Sequence, residues 1–497
     1  MSHWTPALDA PAALEADGTE SPFVRLPGSV LSAFGVAAAA GLLTANPFLT
    51  AASVLALPLF ATLLWRPGET PVLLFAVGFQ WVQVTAKVFH ANVIGVPITQ
   101  LAFTASVVDA VWLSLTGLVV LAVGMRLGLR LLREATAKRA RVEADALSVD
   151  RAFLLYVVCY VLAVVVEGAV GIRGSLSQAG AGVQAVHWVA FFIFAYLALE
   201  QQKRLLLLAA VVGFEFISGI GFFSGFKTVL FVSLITYFTA RPALRPSAVF
   251  SGAALVGLLL LVGVAWTVVK PEYREFLNQG SGQQETVVSQ DEAMDMLVRL
   301  VSDLTVDDLA YGLDPLFRRV AYVDYFSLTL DYVPAVVPHE GGELWAGAVR
   351  HVLQPRLLFP NKPVLPSDSD RTAYYTGARI ADEGTSISIG YMGESYIDFG
   401  RIGMFVPVLL IGLLWGLIYA YFVRNARSAL VGYAFATALL VEAYQFEMVG
   451  TKLLGGILAK FVVLALLLRF LESRIWSWLG GNEAYEEELG GNYSPAV

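Results

Sequence analysis

The sequence predicts an all-α polytopic membrane protein with about 12 transmembrane helices. Hydrophobic residues make up 57% of the 497 residues, charged residues only 15%, and the mean hydropathy is +0.67. A soluble domain carries about 25% charged side chains. Apolar runs long enough to cross a hydrocarbon core of about 30 Å recur along the chain. The strongly basic connections between these runs are spaced so that they all fall on one side of a membrane.

The apolar runs divide the chain into two groups of spans. Residues 29–269 hold about nine spans and residues 403–472 hold three, flanked by the polar tails 1–28 and 473–497. Several runs are shorter than the roughly 20 residues that an upright helix needs, so we expect tilted or broken helices among them. The expected spans are 29–45, 48–65, 70–89, 106–129, 152–171, 185–200, 204–222, 227–240, 247–269, 403–423, 428–448 and 453–472.

The basic residues predict the orientation of these spans. Lysine and arginine are enriched in cytoplasmic connections. With twelve spans, every strongly basic connection falls on one side, which places both termini in the cytoplasm. The residues concerned are Arg130, Arg133, Lys138, Arg139, Arg141, Lys203, Arg204, Arg241, Arg245, Arg424 and Arg427.

One outward-facing segment, residues 270–402, is much longer than the others. It carries half of the chain's 40 acidic residues, and a connection of this length is usually functional or disordered. Apolar residues at helical spacing over 293–304 and 316–326 predict amphipathic helices, which would lie on the outer membrane surface, cap the bundle or pack on each other. We therefore expect a large, mainly helical loop.

Basic residues in the outward-facing connections are the first candidate functional set. Positive charge there opposes the topological bias, and an anionic ligand such as a phosphate would explain it. Pairing with the local aspartates and glutamates is the alternative. The set comprises Arg173, Lys227, Arg350, Arg356, Lys362, Arg371 and Arg379.

Polar residues within the spans form a second set. Gln80, Gln83 and Lys87 share one face of the third span. Ionisable groups in spans are costly in lipid and serve either proton or ion coupling or helix–helix pairing. The single cysteine, Cys159, excludes an intrachain disulfide, and the scattered histidines and the lack of a phosphate-loop motif favour neither a metal site nor a nucleotide-driven transporter.

Three stretches carry a resemblance to a known family. They are 355–363 (PRLLFPNKP), 388–403 (SIGYMGESYIDFGRIG) and 224–227 (SGFK). With the large loop before the last spans, residues 150–470 resemble Wzy-type O-antigen and oligosaccharide repeat-unit polymerases. Lys227 stands where that family usually carries arginine.

This resemblance implies a GT-C-like glycosyltransferase of the bacterial inner membrane whose active face is periplasmic. Such an enzyme transfers a growing glycan from undecaprenyl diphosphate to the incoming lipid-linked repeat. It implies no cofactor, metal or nucleic acid. Its expected partners are the lipid bilayer, undecaprenyl-diphosphate-linked oligosaccharide, a flippase and a chain-length regulator.

The resemblance also suggests roles for single residues. Arginines of the outer loop would hold the diphosphate, which fits Arg173, Arg356, Arg371 and Arg379, with Lys227, Arg350 and Lys362 assisting. His351 or Glu394 is expected to take the proton from the acceptor hydroxyl. Four tyrosines are candidates for stacking on sugar faces: Tyr374, Tyr375, Tyr391 and Tyr396.

Three other functions remain open from the sequence. An O-antigen ligase-like enzyme would use the same donor but a different acceptor. A secondary transporter or flippase of lipid-linked sugars usually contains two similar halves, which this sequence does not display. A non-catalytic assembly factor would tolerate substitution of the arginines.

Overall fold

The computed structural model describes most of the chain, and the described residues are mainly helical. No strand occurs among them. The description covers residues 26–130, 136–171, 177–220, 225–241, 246–281, 286–354, 359, 361–362, 366–378 and 387–480.

Within the described residues, seven helices are long and apolar enough to cross a membrane, as in a helical membrane protein. Each coincides with one of the expected spans. They are, or lie within, α2 (Pro47–Leu64), α3 (Val72–Ile94), α4 (Val107–Leu129), α6 (Val149–Gly171), α7 (Ser177–Gln201), α17 (Phe405–Asn425) and α19 (Gly450–Gly480).

The other five expected spans coincide with helices of different lengths. Three are about 21 Å long at 1.5 Å per residue, which is shorter than the hydrocarbon core: α1 (Gly28–Gly41), α8 (Leu205–Ser218) and α9 (Lys227–Ala240). The fourth, α18 (Ala429–Leu440), continues into a 3₁₀ turn, Val441–Tyr444. The fifth, α10 (Pro246–Leu277), runs well past the expected end at residue 269. A further helix, α5 (Thr136–Ala146), lies in the basic connection after α4.

Helices α4 and α17 approach each other through four glycines. Gly124 and Gly128 of α4 face Gly412 and Gly416 of α17, so the backbones meet where a side chain would normally stand. A Cβ atom on Gly416 would lie 2.2 Å from the carbonyl oxygen of Met125. The pairing of 124 with 412 and of 128 with 416 makes the two helices parallel, and each carries the small-xxx-small spacing of close helix pairs.

In its described parts, the long segment 270–402 contains the end of α10 and six further helices. They are α11 (Gln290–Ser302), α12 (Val306–Val320), α13 (Val323–Tyr332), α14 (Glu343–Leu353), α15 (Asp368–Thr376) and α16 (Gly390–Gly403). The amphipathic helix expected over 293–304 is confirmed as α11, which begins in a capping box formed by Ser289 and Glu292. The stretch 316–326 is instead divided between α12 and α13.

Helix α16 lies beside the middles of two candidate spans. The Tyr391 hydroxyl donates a 2.8 Å hydrogen bond to Gln80 of α3, and the Met392 side chain packs on Gly117 of α4. At Gly400 the backbone takes φ +69°, and the chain turns there before α17 begins. The end of the long segment is therefore packed within the helical bundle.

Candidate functional site

A buried carboxylate lies where α15, α16 and the start of α19 meet. Glu394 of α16 is 2% exposed. Its Oε1 accepts a hydrogen bond from Nη1 of Arg371, and its Oε2 accepts one of 2.6 Å from the backbone amide of Gly450. Burial raises the pKa of the Glu394 carboxyl, although the Arg371 charge and the Gly450 amide act in the opposite direction.

Gly450 allows the Glu394 carboxylate to reach its backbone amide because it has no side chain. A Cβ atom there would lie 2.9 Å from the Trp345 ring and 3.2 Å from Oε2 of Glu394. The positive end of the α19 dipole also faces the carboxylate. The close approach of Glu394 and the favourable helix dipole both depend on α19 beginning at Gly450.

A second buried carboxylate anchors α14 to α16. Asp398 accepts hydrogen bonds from the amides of Leu344 at 3.1 Å and Trp345 at 2.8 Å, in the first turn of α14. This is where a helix has unsatisfied N–H groups. The Trp345 indole donates a further 3.1 Å bond to Ser395. The helix that carries Arg350 and His351 is thereby held against α16.

Several cations surround this junction, which we define as α14, α15, α16 and the start of α19. Arg371 is half-buried, and the Lys362 ammonium donates to the carbonyl oxygen of His351. Lys452, the third residue of α19, pairs with Asp368 of α15 at 2.5 Å. Lys452 was not among the predicted site residues. The signal available for it in the sequence was its place in the outward-facing connection between the expected spans 428–448 and 453–472.

The structure brings together part of the predicted site. Arg350, His351, Lys362, Arg371 and Glu394 all belong to the junction or contact it. Lys227 begins α9, which packs against α7 and α8. Three predicted residues, Arg173, Arg356 and Arg379, lie outside the described residues, as does most of the 355–363 motif.

Only one of the four candidate tyrosines has an exposed ring. Tyr374 is 59% exposed, whereas Tyr375, Tyr391 and Tyr396 are buried. The hydroxyls of the buried three donate to Glu340, Gln80 and the carbonyl oxygen of Val333, at 2.7–2.9 Å. In this conformation their faces are not accessible to a sugar.

The polar face of α3 pairs with other parts of the bundle. Gln80 donates to the carbonyl oxygen of Ala443 at 2.7 Å. Gln83 accepts from the Phe446 amide at 3.0 Å and donates to Glu447 at 2.9 Å. The bonds to Ala443 and Phe446 satisfy backbone groups of the connection between α18 and α19, which membrane interiors tolerate only when protein groups supply the partners.

The third member of that face, Lys87, forms an ion pair with Asp324 of α13. Both side chains are almost fully buried, and the ammonium also donates to the carbonyl oxygen of Leu101 at 3.1 Å. All three polar residues of the α3 face thus hold later segments of the chain against this helix.

The chain belongs to the family described as "Domain of unknown function (DUF8712)", whose model matches residues 82–474. The matched region includes every residue of the junction. Comparisons with curated proteins and with solved structures found no match.

Proposed function

We propose that this chain is a membrane-embedded glycosyltransferase that polymerises undecaprenyl-diphosphate-linked oligosaccharide repeats at the periplasmic face of the bacterial inner membrane. The observation that carries the proposal is the half-buried Arg371, oriented by the buried Glu394 among the cations Lys362 and Lys452. The resemblance to Wzy-type polymerases supplies the substrate class.

The proposed reaction develops negative charge where these cations lie. The acceptor hydroxyl oxygen attacks C1 of the donor sugar, the bond from C1 to the diphosphate oxygen breaks, and undecaprenyl diphosphate leaves with that electron pair. Arginine has five N–H donors, so Arg371 can bond to Glu394 and still offer donors to the leaving diphosphate. A cation already held in place stabilises that charge without reorganisation.

His351 is the proposed base that takes the proton from the acceptor hydroxyl group. The two carboxylate oxygens of Glu394 already accept hydrogen bonds, so its proposed role is to position Arg371. His351 is half-buried in the last turn of α14, and imidazole accepts protons near neutral pH. Tyr374, exposed on α15 and three residues from Arg371, is the proposed sugar contact.

The proposal includes a GT-C-like bundle of twelve spans with both termini in the cytoplasm. The parallel packing of α4 and α17 supports an odd number of crossings between them, as expected for the fourth and tenth spans, which have five spans between them. The shorter helices α1, α8, α9 and α18 would then cross tilted or within a thinned bilayer. A flippase and a chain-length regulator are the proposed partners.

The test is polymerisation by the purified chain in lipid vesicles. Native undecaprenyl-diphosphate repeats are supplied, and the glycans are resolved on a gel with and without EDTA. We expect a ladder that EDTA does not change. Arg371→Ala should slow its formation about 100-fold or more, by analogy with the loss of one preorganised donor, and Arg371→Lys should restore part of the rate. Arg299→Ala, which removes an exposed arginine from α11, is the matched control.

One result would contradict the polymerase, and a second would contradict the proposed site. Absence of a ladder with native repeats, together with transfer to lipid A core when that acceptor is added, would identify a ligase. A ladder that forms equally well with Arg371→Ala and His351→Ala would remove the junction from the reaction.

A further inference from the structure

A groove runs between α17 and α19, away from the junction. Its volume is 380 Å³, within the range of small-molecule sites. Its walls are apolar and include Leu414, Leu417, Tyr421, Leu458 and Phe461, and one end is formed by Arg424 and Asn425. We propose that this groove binds one anionic phospholipid, with an acyl chain along the walls and the phosphate on Arg424.

The length of the groove fits one leaflet of a bilayer. Leu414 and Arg424 are ten residues apart on one helix, which corresponds to about 15 Å along its axis. The hydrocarbon core is about 30 Å thick, so one leaflet contributes about 15 Å. With Arg424 at the headgroup level, the apolar walls therefore extend to about the centre of the bilayer.

The positive charge at one end of the groove favours an anionic headgroup. Arg424 is exposed, and within the described residues no ion pair neutralises it and no carboxylate lines the groove. The neutral Asn425 side chain donates to the carbonyl oxygen of Tyr421 at 2.8 Å, and Arg424 is the charged residue among those that line the groove. Guanidinium binds phosphate oxygens in pairs, and a net negative lipid gains this attraction without a competing ammonium or choline.

This inference does not depend on the proposed glycosyl transfer. It needs only that α17 and α19 cross a membrane, and both belong to the seven helices able to do so. The ligand is a lipid, because a free phosphate ion has no acyl chain that could occupy the apolar walls of the groove.

The test measures the melting temperature of the purified full chain in neutral detergent during titration with dioleoyl phosphatidylglycerol. Matching titrations use dioleoyl phosphatidylcholine and inorganic phosphate. We expect phosphatidylglycerol to raise the melting temperature at lower concentration than phosphatidylcholine, and inorganic phosphate to have no effect. Arg424→Ala should raise the half-maximal phosphatidylglycerol concentration about fivefold, and Arg424→Lys should recover most of that loss.

Two further variants distinguish lipid binding in the groove from attraction to the general surface charge. Leu458→Trp fills the groove while keeping Arg424, and it should weaken the effects of both lipids. Arg130→Ala removes an exposed arginine from the corresponding end of the parallel helix α4 and should leave the titration unchanged.

The inference is overturned if the two lipids act at equal concentrations or if inorganic phosphate replaces phosphatidylglycerol. It is also overturned if Arg130→Ala and Arg424→Ala cause the same loss, because that result indicates attraction to the whole charged surface.

Discussion

Two ion pairs of the junction differ in what they can contribute to stability. The pair between Arg371 and Glu394 is largely shielded from water, whereas the Lys452 side chain that pairs with Asp368 is 56% exposed. An exposed pair contributes about 0–1 kcal/mol. Removing one partner of a buried pair costs about 3–5 kcal/mol, because the remaining charge is left without compensation. Glu394 is therefore the residue on which the geometry of Arg371 depends most.

The raised pKa of Glu394 predicts a pH dependence of stability. The folded chain holds the Glu394 proton to higher pH than the unfolded chain, whose glutamate pKa is about 4.3. The free energy of unfolding should therefore fall as pH rises from about 4.3 through the folded-state pKa, by at most ~1.4 kcal/mol per pH unit. The measurement is the melting temperature against pH for the wild type and Glu394→Gln, whose difference isolates this group.

The control for this titration is Asp370→Asn, which removes an exposed carboxyl from α15. Its profile should follow the wild type. If the melting temperatures of the wild type and of Glu394→Gln depend on pH in the same way, the prediction of a raised Glu394 pKa is contradicted.

At the scale of elements, the contact between α4 and α17 positions the candidate site. Helix α17 follows α16 directly, so the place of Glu394 depends on where α17 packs. The four glycines bring the two backbones into contact over one turn of each helix. The small-xxx-small spacing at 124–128 and 412–416 was present in the sequence, and it was the available indication that these two spans are neighbours.

Gly416→Ala should destabilise the chain by about 1–3 kcal/mol, because its Cβ has no room beside the α4 backbone. The measurement is the melting temperature and the gel-filtration profile in detergent. Gly78→Ala is the matched control, since Gly78 lies within α3 and nothing stands within 4 Å of an added Cβ. It should be neutral or slightly stabilising. Equal stability of the two variants would contradict close α4–α17 packing.

At the scale of the whole molecule, the twelve-span proposal makes a prediction about sidedness. In a Cys159→Ala background, Ser302→Cys on α11 should react with a membrane-impermeant maleimide in intact spheroplasts. Lys203→Cys, between α7 and α8, should react only after the membrane is permeabilised, because the basic connections are expected inside. Labelling of both positions in intact spheroplasts would require a different number of crossings.

The sequence predicted the class and many elements well, and the site only partly. The seven long helices and α11 coincide with predicted segments because apolar composition and 3.6-residue periodicity are properties of neighbouring residues. The division of 316–326 between α12 and α13 was missed, since apolar spacing continues across the break. The anchoring role of Asp398 was missed because this residue has no distinctive local pattern. Lys452 was missed although it lies in the outward-facing connection between the last two expected spans.

Local composition already indicates a helical chain with the character of a membrane protein, because a long apolar run is enough to favour a membrane-spanning helix. Which polar residues meet follows from how the helices pack in three dimensions. Glu394 and Gly450 are 56 residues apart, and Tyr391 and Gln80 are 311 apart. Such pairs form because several helices pack at defined angles and leave a few positions where a buried polar group must find a partner. That requirement links residues that are far apart in the sequence, so no local sequence pattern indicates which partners will meet.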